Sequence, residues 1–391
     1  MNRVQRRGLI NGGIAAVVTF AIGSAVVATI DLDVDEAPVS PTPSVTASPA
    51  PECDPTWEVV PSADPGEAPT TLLGVTAITT SEAWAVGGIG DPAAPTAVSI
   101  QRWDGTEWSP FQAPSPGVTV NELRAVDASE PNDVWAVGRT SNGFGDEPLV
   151  LRYDGTEWLL VELPEEIDGV LHDVVALSPD DVWAVGSVGD ATLSLERAMV
   201  LHWDGQAWAV VEVRRAIGGG RSALLDIDAV SPTDLWVVGY QHAQPAIIRF
   251  DGEAWSRSET DARVRLDAID AFESSEVWAV GDAILRFDGT EWTEVQGLPE
   301  DGGLLAVASI AGQDVWAAGS RQSDRGTTRA LVLRWNGQRW APVDGVAVGG
   351  SDALTGLDAL PDGTILGVGT KDLDIERRTL GIRGTTCPPV G

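Results

Sequence analysis

Short apolar runs separated by turn-forming residues repeat along most of this chain. The unit is clearest over residues 120–163, which contain the run VNELRAVDAS, a turn, the run VWAVG, a variable loop, the run PLVLRY, an Asp-Gly pair and the run TEWLLVEL. Asp-Gly between two apolar runs is a strong hairpin signal, because glycine accepts the positive φ that the turn needs. Runs that are apolar on both faces are typical of strands packed between two neighbouring sheets. Each unit therefore predicts four short β-strands, labelled A to D in chain order.

Tryptophan follows the same repeat. All 16 tryptophans lie in strand B, at the start of strand D or just before the Asp/Asn-Gly pair. Those in strand B are 51, 48, 53, 42 and 38 residues apart. They are Trp84, Trp135, Trp183, Trp236, Trp278 and Trp316. A period of about 40 to 50 residues with several short strands per unit is typical of a β-propeller.

The number of repeats predicts seven blades. Six complete units run from about residue 71 to 344, and a seventh begins at Ala353 but lacks strand D. The missing strand-D pattern occurs at the other end of the repeats, in PTWEVV from Pro55 to Val60. This segment should complete the last blade and close the ring, removing the exposed edges of an open sheet. The sequence thus predicts an all-β, seven-bladed propeller of four-stranded blades over residues 53–391.

Two cysteines flank the predicted closure. Cys387 follows strand C of the last blade and Cys53 precedes the strand-D segment. In the other blades an Asp/Asn-Gly turn joins these two points, so a Cys53–Cys387 disulfide would replace the missing covalent turn. Closing so long a loop contributes on the order of 5 kcal/mol in the chain-entropy model. The alternative is two unrelated free thiols.

The first 52 residues differ in composition from the repeats. Residues 1–7 contain three arginines, residues 8–30 carry no charge, and residues 31–52 are rich in Pro, Ser and Thr. Roughly 20 apolar residues cross a bilayer, and the positive flank stays in the cytoplasm. We expect a basic cytoplasmic N-terminus (1–7), a transmembrane anchor or signal peptide (8–30) and an extended extracellular linker (31–52). The propeller should then lie outside the cytoplasm, anchored to the membrane, or secreted if the segment is cleaved.

The charge of the chain narrows the classes of partner. Its formal net charge is −33 at pH 7. Binding to nucleic acid needs a basic surface, and anionic lipid attracts basic segments. We therefore expect no nucleic-acid partner, membrane contact through the N-terminal anchor only, and a soluble monomeric propeller.

The repeats resemble known propeller families. An apolar innermost strand, a strand ending in glycine, a strand ending in an aromatic residue and a strand with tryptophan resemble kelch-type propellers and the propeller of galactose oxidase. The DVWAVG and RWDGTEW segments are most similar to repeats of bacterial exported propellers. Kelch units usually carry a glycine pair, which only the first blade has, at Gly87–Gly88. The resemblance implies a fold rather than a function, because propellers include enzymes, lectins and scaffolds.

Charged residues also recur with the repeat. A cation occupies strand C of every blade, at Arg102, Arg152, His202, Arg249, Arg286, Arg334 and Arg383. An acid precedes strand B in six blades, at Glu82, Asp133, Asp181, Asp234, Glu276 and Asp314. These series are either a ring of ligand sites or part of the scaffold. We favour the scaffold, because a buried charge needs a partner.

Binding residues are expected where the repeat is broken. The B–C and D–A loops share one face of the disc and carry irregular insertions, whereas the A–B and C–D turns on the opposite face are regular. Exposed aromatic and arginine residues on loops of a rigid scaffold are favoured binding residues. The candidates on this irregular loop face are Phe144, Arg215, Arg221, Tyr240, His242, Arg321 and Arg325. They predict a non-catalytic recognition module that binds a protein or a glycan at the cell surface.

Enzyme chemistry has weaker support in the sequence. Of the three histidines, His202 occupies the repeated strand-C cation position. His172 and His242 remain, too few for a histidine-rich metal centre. Tyr240 with Arg215 and Arg221 is the best available set for a sialidase-like reaction. We therefore assign no catalytic residue, metal site or cofactor. The alternatives are a polysaccharide hydrolase or lyase acting in the propeller funnel, and a structural scaffold of the cell envelope.

Overall fold

The structure is a computed structural model. It describes residues 56–62, 68–163, 167–189, 196–323, 326–344, 351–360, 362–373 and 376–385. The predicted N-terminal segments lie outside these residues, and so do Cys53, Cys387 and Arg325. In the described parts, no helix is long and apolar enough to cross a membrane.

Seven four-stranded antiparallel sheets surround a central channel. Strand A of each sheet lines this channel, and strand B pairs with it. The A strands are β2 (Thr70–Thr79), β6 (Val120–Glu130), β10 (Gly169–Ser178), β14 (Ser222–Ser231), β18 (Leu266–Glu273), β22 (Gly302–Ala311) and β26 (Ser351–Ala359). The B strands are β3 (Glu82–Asp91), β7 (Asp133–Ser141), β11 (Asp181–Val188), β15 (Asp234–Gln241), β19 (Glu276–Gly281), β23 (Asp314–Gln322) and β27 (Thr364–Leu373).

Strands C and D complete each sheet on the outside. The C strands are β4 (Ala94–Trp103), β8 (Asp146–Tyr153), β12 (Arg197–Trp203), β16 (Gln244–Phe250), β20 (Ile284–Phe287), β24 (Thr328–Trp335) and β28 (Glu376–Thr385). The D strands of blades 1 to 6 are β5 (Trp108–Pro110), β9 (Trp158–Leu160), β13 (Trp208–Val211), β17 (Trp255–Ser258), β21 (Trp292–Glu294) and β25 (Trp340–Pro342). One short helix, α1 (Arg214–Ile217), connects blades 3 and 4. This architecture confirms the all-β, seven-bladed prediction.

The seventh sheet takes its outer strand from the N-terminal side of the repeats. Strand β1 (Thr56–Val60) pairs antiparallel with β28, with Trp57 opposite Gly384. The Trp57 ring also meets the strand-B Trp316 of blade 6, with ring centroids 5.4 Å apart. Trp57 therefore takes the position that a strand-D tryptophan takes in other blades.

The strand-B tryptophans form the seams between blades. Each is buried and packs against aromatic rings of the following blade. In blade 1, the Trp84 ring lies 4.8 Å from Tyr153 and 5.3 Å from Trp158, both of blade 2. Such aromatic pairs contribute about 0.5–1.5 kcal/mol beyond their burial. The tryptophan repeat is therefore the sequence signature of inter-blade packing.

Two local predictions need adjustment. Strand D was expected to span the run TEWLLVEL in blade 2, but β9 covers three residues of it, Trp158–Leu160. The B–C loops are predicted to carry irregular insertions, but in blade 4 β15 and β16 continue to a two-residue turn, with Gln241 opposite Gln244. Backbone pairing with the neighbouring strand extends or shortens a strand beyond what its apolar residues indicate.

Strand A carries a β-bulge at the same place in every blade. After a buried leucine, its pairing with strand B shifts by one residue, as between Leu72 and Gly74 in blade 1. A bulge re-aims a side chain, and here all seven bulged residues line the channel. This bulge ring consists of Leu73, Arg124, His172, Leu225, Asp267, Leu305 and Thr355. It lies in the half of strand A nearer the irregular loop face.

Candidate functional site

The repeated charges are paired with one another. In blade 4, Arg249 Nε donates to Asp234 Oδ1 at 2.7 Å, and the guanidinium lies 4.7 Å from the centre of the Trp236 ring. The strand-C cation contacts the strand-B acid in this way in blades 1 to 6. In blade 7, Arg383 instead lies 3.8 Å from Glu58 of β1. These contacts support the scaffold interpretation.

The Asp-Gly pairs make turns. In blade 2, Asp154 Oδ1 accepts hydrogen bonds from the Thr156 hydroxyl at 2.6 Å and from the amides of Thr156 and Glu157 at 2.8 and 3.0 Å. These bonds lower the pKa of Asp154 to about 2, the hydroxyl contributing most. Asp288 in blade 5 repeats this arrangement. The carboxylates of both turns are thus occupied locally.

The candidate binding residues divide among three blades. Arg215, Arg221, Tyr240 and His242 belong to blade 4 and the connection that leads into it, whereas Phe144 is in blade 2 and Arg321 in blade 6. All are exposed except Tyr240, which is half-buried. The structure therefore brings together one part of the candidate set and separates the rest.

A buried glutamate organises the blade 4 residues. Glu196 is 4% exposed and accepts hydrogen bonds from Arg221 Nε at 2.7 Å and from the Tyr240 hydroxyl. The Arg221 guanidinium lies 5.6 Å from the centre of the Tyr240 ring. Burial and the hydrogen bond to Glu196 raise the pKa of Tyr240 to about 12. Tyr240 is thus a neutral hydrogen-bond donor and a poor nucleophile.

The turn next to this cluster has an unusual backbone. His242 and Ala243 have φ values of +50° and +63°, a region that residues other than glycine rarely adopt. His242 Nε2 lies 3.0 Å from the carbonyl oxygen of Gly219, to which it donates. A Cβ atom at Gly220 would lie 2.2 Å from Cε1 of the His242 ring. The ring is therefore held against a glycine segment, which offsets the cost of the strained turn.

A charged network that the sequence did not predict lies at the channel. Glu122 Oε2 accepts from Nε of Arg124 and Nε of Arg139, each at 2.9 Å. Arg124 Nη1 donates to Nδ1 of His172 at 2.8 Å. Burial, followed by the charges of Arg124 and Arg139, lowers the pKa of His172 to about 3. His172 is thus held neutral with its proton on Nε2.

Two carboxyls lie next to the bulge ring, deeper in the channel. Asp173 Oδ2 accepts the amide of Ile227 in blade 4 at 2.9 Å, and Asp226 Oδ2 accepts the amide of Ile269 in blade 5 at 2.6 Å. The two side chains also share a hydrogen bond. Burial, the charge of Asp226 and this hydrogen bond raise the pKa of Asp173 well above 3.8. These surroundings therefore favour the protonated form of Asp173, in a pair of carboxyls that joins neighbouring blades.

A signal for these residues exists in the sequence. When the repeats are aligned on the strand-A leucine, the next two positions are mostly apolar or small, and Arg124, His172-Asp173, Asp226 and Asp267 stand out. Alignment alone does not show that these positions meet at the channel, because they come from different blades. Glu196 has no such signal, since it lies in a loop.

Two large apolar side chains point outward on loops of blade 2. Phe144 is fully exposed at the tip of the B–C loop, and Val118 on the preceding D–A loop is 79% exposed. The two loops are joined by a hydrogen bond of 3.0 Å from the Val118 amide to Asn142 Oδ1. Neighbouring exposed apolar residues are typical of interaction sites.

Comparison with known proteins relates the chain to others by its fold. No protein-family model and no curated protein sequence matches it. The solved structure of YCF48 bound to D1 peptide is 16% identical, with a TM-score of 0.58, covering 86% of this chain and 97% of that one. The WD40 repeats of RRP9 are 12% identical, with a TM-score of 0.55, covering 84% and 97%. A catalytically inactive virginiamycin B lyase from Staphylococcus aureus, with quinupristin, is 14% identical, with a TM-score of 0.54, covering 85% and 100%. The chain thus shares the seven-bladed propeller fold with proteins whose names describe binding as well as catalysis.

Proposed function

We propose that this propeller is an extracytoplasmic, non-catalytic recognition module that binds a protein or glycan through its irregular loop face. The observation that carries the proposal is the outward position of Phe144 and Val118 on two joined loops. The repeated cations and acids of blades 1 to 6 pair with each other within the scaffold, whereas Phe144 and Val118 are exposed to solvent. Burying exposed aromatic side chains is a common source of binding energy.

A polypeptide is the favoured partner. One protein of similar fold, YCF48, has a solved structure with a peptide bound. Exposed apolar groups on loops suit a protein surface, although aromatic residues also stack on sugars. The net charge of −33 makes nucleic acid an unsuitable partner.

The location outside the cytoplasm rests on the sequence. Three arginines precede an uncharged stretch over residues 8–30, and a Pro-rich linker follows it. An arrangement of this kind exports or anchors the domain that follows. Protease treatment of intact cells tests the location: degradation of the propeller without lysis supports it, and protection until lysis contradicts it.

A polysaccharide hydrolase or lyase in the funnel is the second candidate. The raised pKa of Asp173 in the channel favours it, since a general acid needs a raised pKa. However, Asp173 and Asp226 are directly hydrogen-bonded, whereas glycosidase carboxyls stand about 5–9 Å apart. Both carboxyls also accept amides of the next blade. We therefore rank recognition above catalysis.

A binding screen tests the proposal directly. The full chain would be presented to a glycan array and to cell-surface proteins, and each hit would be checked for turnover. We expect a saturable hit that is weakened about tenfold or more by Phe144→Ser with Val118→Ser, with no product formed. Val59→Ser is the matched control, because Val59 is also an exposed valine but lies on β1.

Other outcomes assign other functions. A ligand that is consumed, with turnover lost in Asp173→Asn, would move the function to the channel. A hit weakened by Arg321→Ala but not by the blade 2 variant would place the contact on blade 6. The absence of binding and turnover across both panels would contradict recognition and favour a structural scaffold.

A further inference from the structure

A groove lies beside the exposed loops of blade 2. Its apolar surface, here named the blade 2 groove, is formed by Pro116, Pro148, Leu149, Leu160, Val161, Leu163 and Ile167. Its volume is about 660 Å³, and the Leu160 side chain at its wall is 47% exposed. This volume falls within the range of binding pockets, about 300–1,000 Å³. The D–A loop that bears Val118 contributes Pro116 to it, and the strands that flank the loop of Phe144, β7 and β8, contribute Thr140 and Glu147.

Carboxylates surround this apolar surface. Glu147, Glu162 and Asp168 line the blade 2 groove, and all three are exposed. In the described part of the chain, none of them forms an ion pair. An apolar floor with an acidic rim is complementary to a segment that combines apolar and basic side chains.

An equivalent groove in blade 3 has a different charge. Its positions lie 50 residues further along the chain, with Arg197 in place of Glu147 and Val210 in place of Leu160. It is smaller, about 350 Å³, and α1 with the following glycines forms one wall. Glu212 lines this groove in place of Glu162, but Arg197 and Arg214 lie beside it, so the uniformly acidic rim of blade 2 is not repeated in blade 3.

The outer strand of blade 2 has an unpaired edge. Strand β9 is the last strand of its sheet and pairs only with β8 among the described strands. Leu159 and Leu160 of this strand are both exposed. An extended peptide can add to such an edge through its backbone while its side chains enter adjoining pockets.

We propose that the blade 2 groove binds an extended segment of a partner protein with alternating basic and apolar residues. Its apolar side chains contact Leu160 and Ile167, and its basic side chains pair with Glu147, Glu162 and Asp168. This inference rests on the proposed function and specifies its partner. The recognition of Phe144 and Val118 by the same partner would extend the contact across both loops.

Peptide binding to the full chain tests the inference. The probes are a fluorescein-labelled heptapeptide of alternating lysine and valine, its glutamate/valine counterpart, and a lysine/serine counterpart that keeps only the charge. Fluorescence anisotropy should show saturable binding of the lysine/valine peptide, with both counterparts about tenfold weaker or more. Leu160→Asp should weaken binding about tenfold, and Glu147→Gln with Glu162→Gln should weaken it severalfold.

Val210→Asp provides the matched control. Val210 is 55% exposed, close to the 47% of Leu160, and occupies the same position in blade 3. Both substitutions lie at exposed sites, so neither should unfold the protein, which circular dichroism would verify. Binding should change less than about twofold in Val210→Asp.

Several results would overturn the inference. Equal binding of the lysine/valine and lysine/serine peptides, or equal effects of Leu160→Asp and Val210→Asp, would indicate diffuse attraction to the acidic surface. No binding by the unsubstituted protein would reject this partner class. Dimerisation that is lost in Leu160→Asp would assign the groove to a second copy. If these peptides fail while the surface screen still finds a partner sensitive to Phe144→Ser, the proposed function stands without this groove.

Discussion

Replacing Asp173 by asparagine should make the propeller less sensitive to rising pH. In the native protein, Asp173 and Asp226 share a hydrogen bond, and each accepts an amide of the next blade. In Asp173→Asn, the side-chain oxygen can still accept the Ile227 amide, and the new NH2 group can donate to Asp226. The substitution therefore keeps the contacts and removes the carboxyl whose pKa is raised.

The direction of this change in pH dependence follows from the raised pKa of Asp173. Between the unfolded value of 3.8 and the higher folded value, the folded protein keeps a proton that the unfolded chain releases. The contribution of this carboxyl to stability is fully present below 3.8 and falls as the pH rises through this window. The slope is at most about 1.4 kcal/mol per pH unit. Solvent that enters the channel would screen the two carboxyls and make this slope smaller.

Urea unfolding followed by tryptophan fluorescence measures the effect. Between about pH 4.5 and pH 8, the free energy of unfolding of Asp173→Asn relative to the native protein should increase. Asp173→Ala removes the nearer of the two acceptors of the Ile227 amide, leaves Asp226 Oδ1 as the other, and should cost about 1–3 kcal/mol at low pH. If the free energies of unfolding of the native protein and of Asp173→Asn change in parallel with pH, the pKa of Asp173 is not raised by folding and the reasoning is refuted.

Three further predictions concern the scaffold and its closure. Asp133→Ala should lower stability by about 2–3 kcal/mol in thermal unfolding, because it leaves Arg152 partly buried without its acid, whereas equal stability would show that the pair is dispensable. Asp288→Ala should remove a contribution that is present above about pH 4 and lost as the pH falls through about 2, which acid titration of the two proteins would compare. A disulfide between Cys53 and Cys387 should appear in non-reducing peptide mapping, and two free thiols would contradict it; Cys53→Ser should lower the melting temperature to the value of the reduced native protein.

The strand order and the number of blades were predictable from local features. Tryptophan at strand B, Asp-Gly at the C–D turn and apolar runs between them each act over a few residues, and every blade repeats them. Their physical roles are also local, as in the turn held by the Asp154 carboxylate. A repeated local pattern is therefore sufficient to predict a fold whose units resemble one another.

The candidate site was only partly predictable. Phe144 was identified correctly as an exposed residue, because it interrupts a polar loop. The partners of Tyr240 and Arg221 were not identified, because Glu196 comes from another blade and its burial is set by packing. The blade 2 groove was also missed, since its walls come from two connections and three strands.

The repeat, the four strands per blade and the residues that build the seams and turns can all be read from the amino-acid sequence. They depend on contacts within a repeat or between equivalent positions of adjacent repeats. Which irregular positions meet is instead set by the three-dimensional arrangement of the blades. Arg124 and His172 are 48 residues apart in the chain, yet their side chains lie 2.8 Å apart at the channel. The strand-A bulge turns both into the channel, and ring geometry brings adjacent blades together there. Function on this fold depends on such departures from the repeat, which periodicity alone does not place in space.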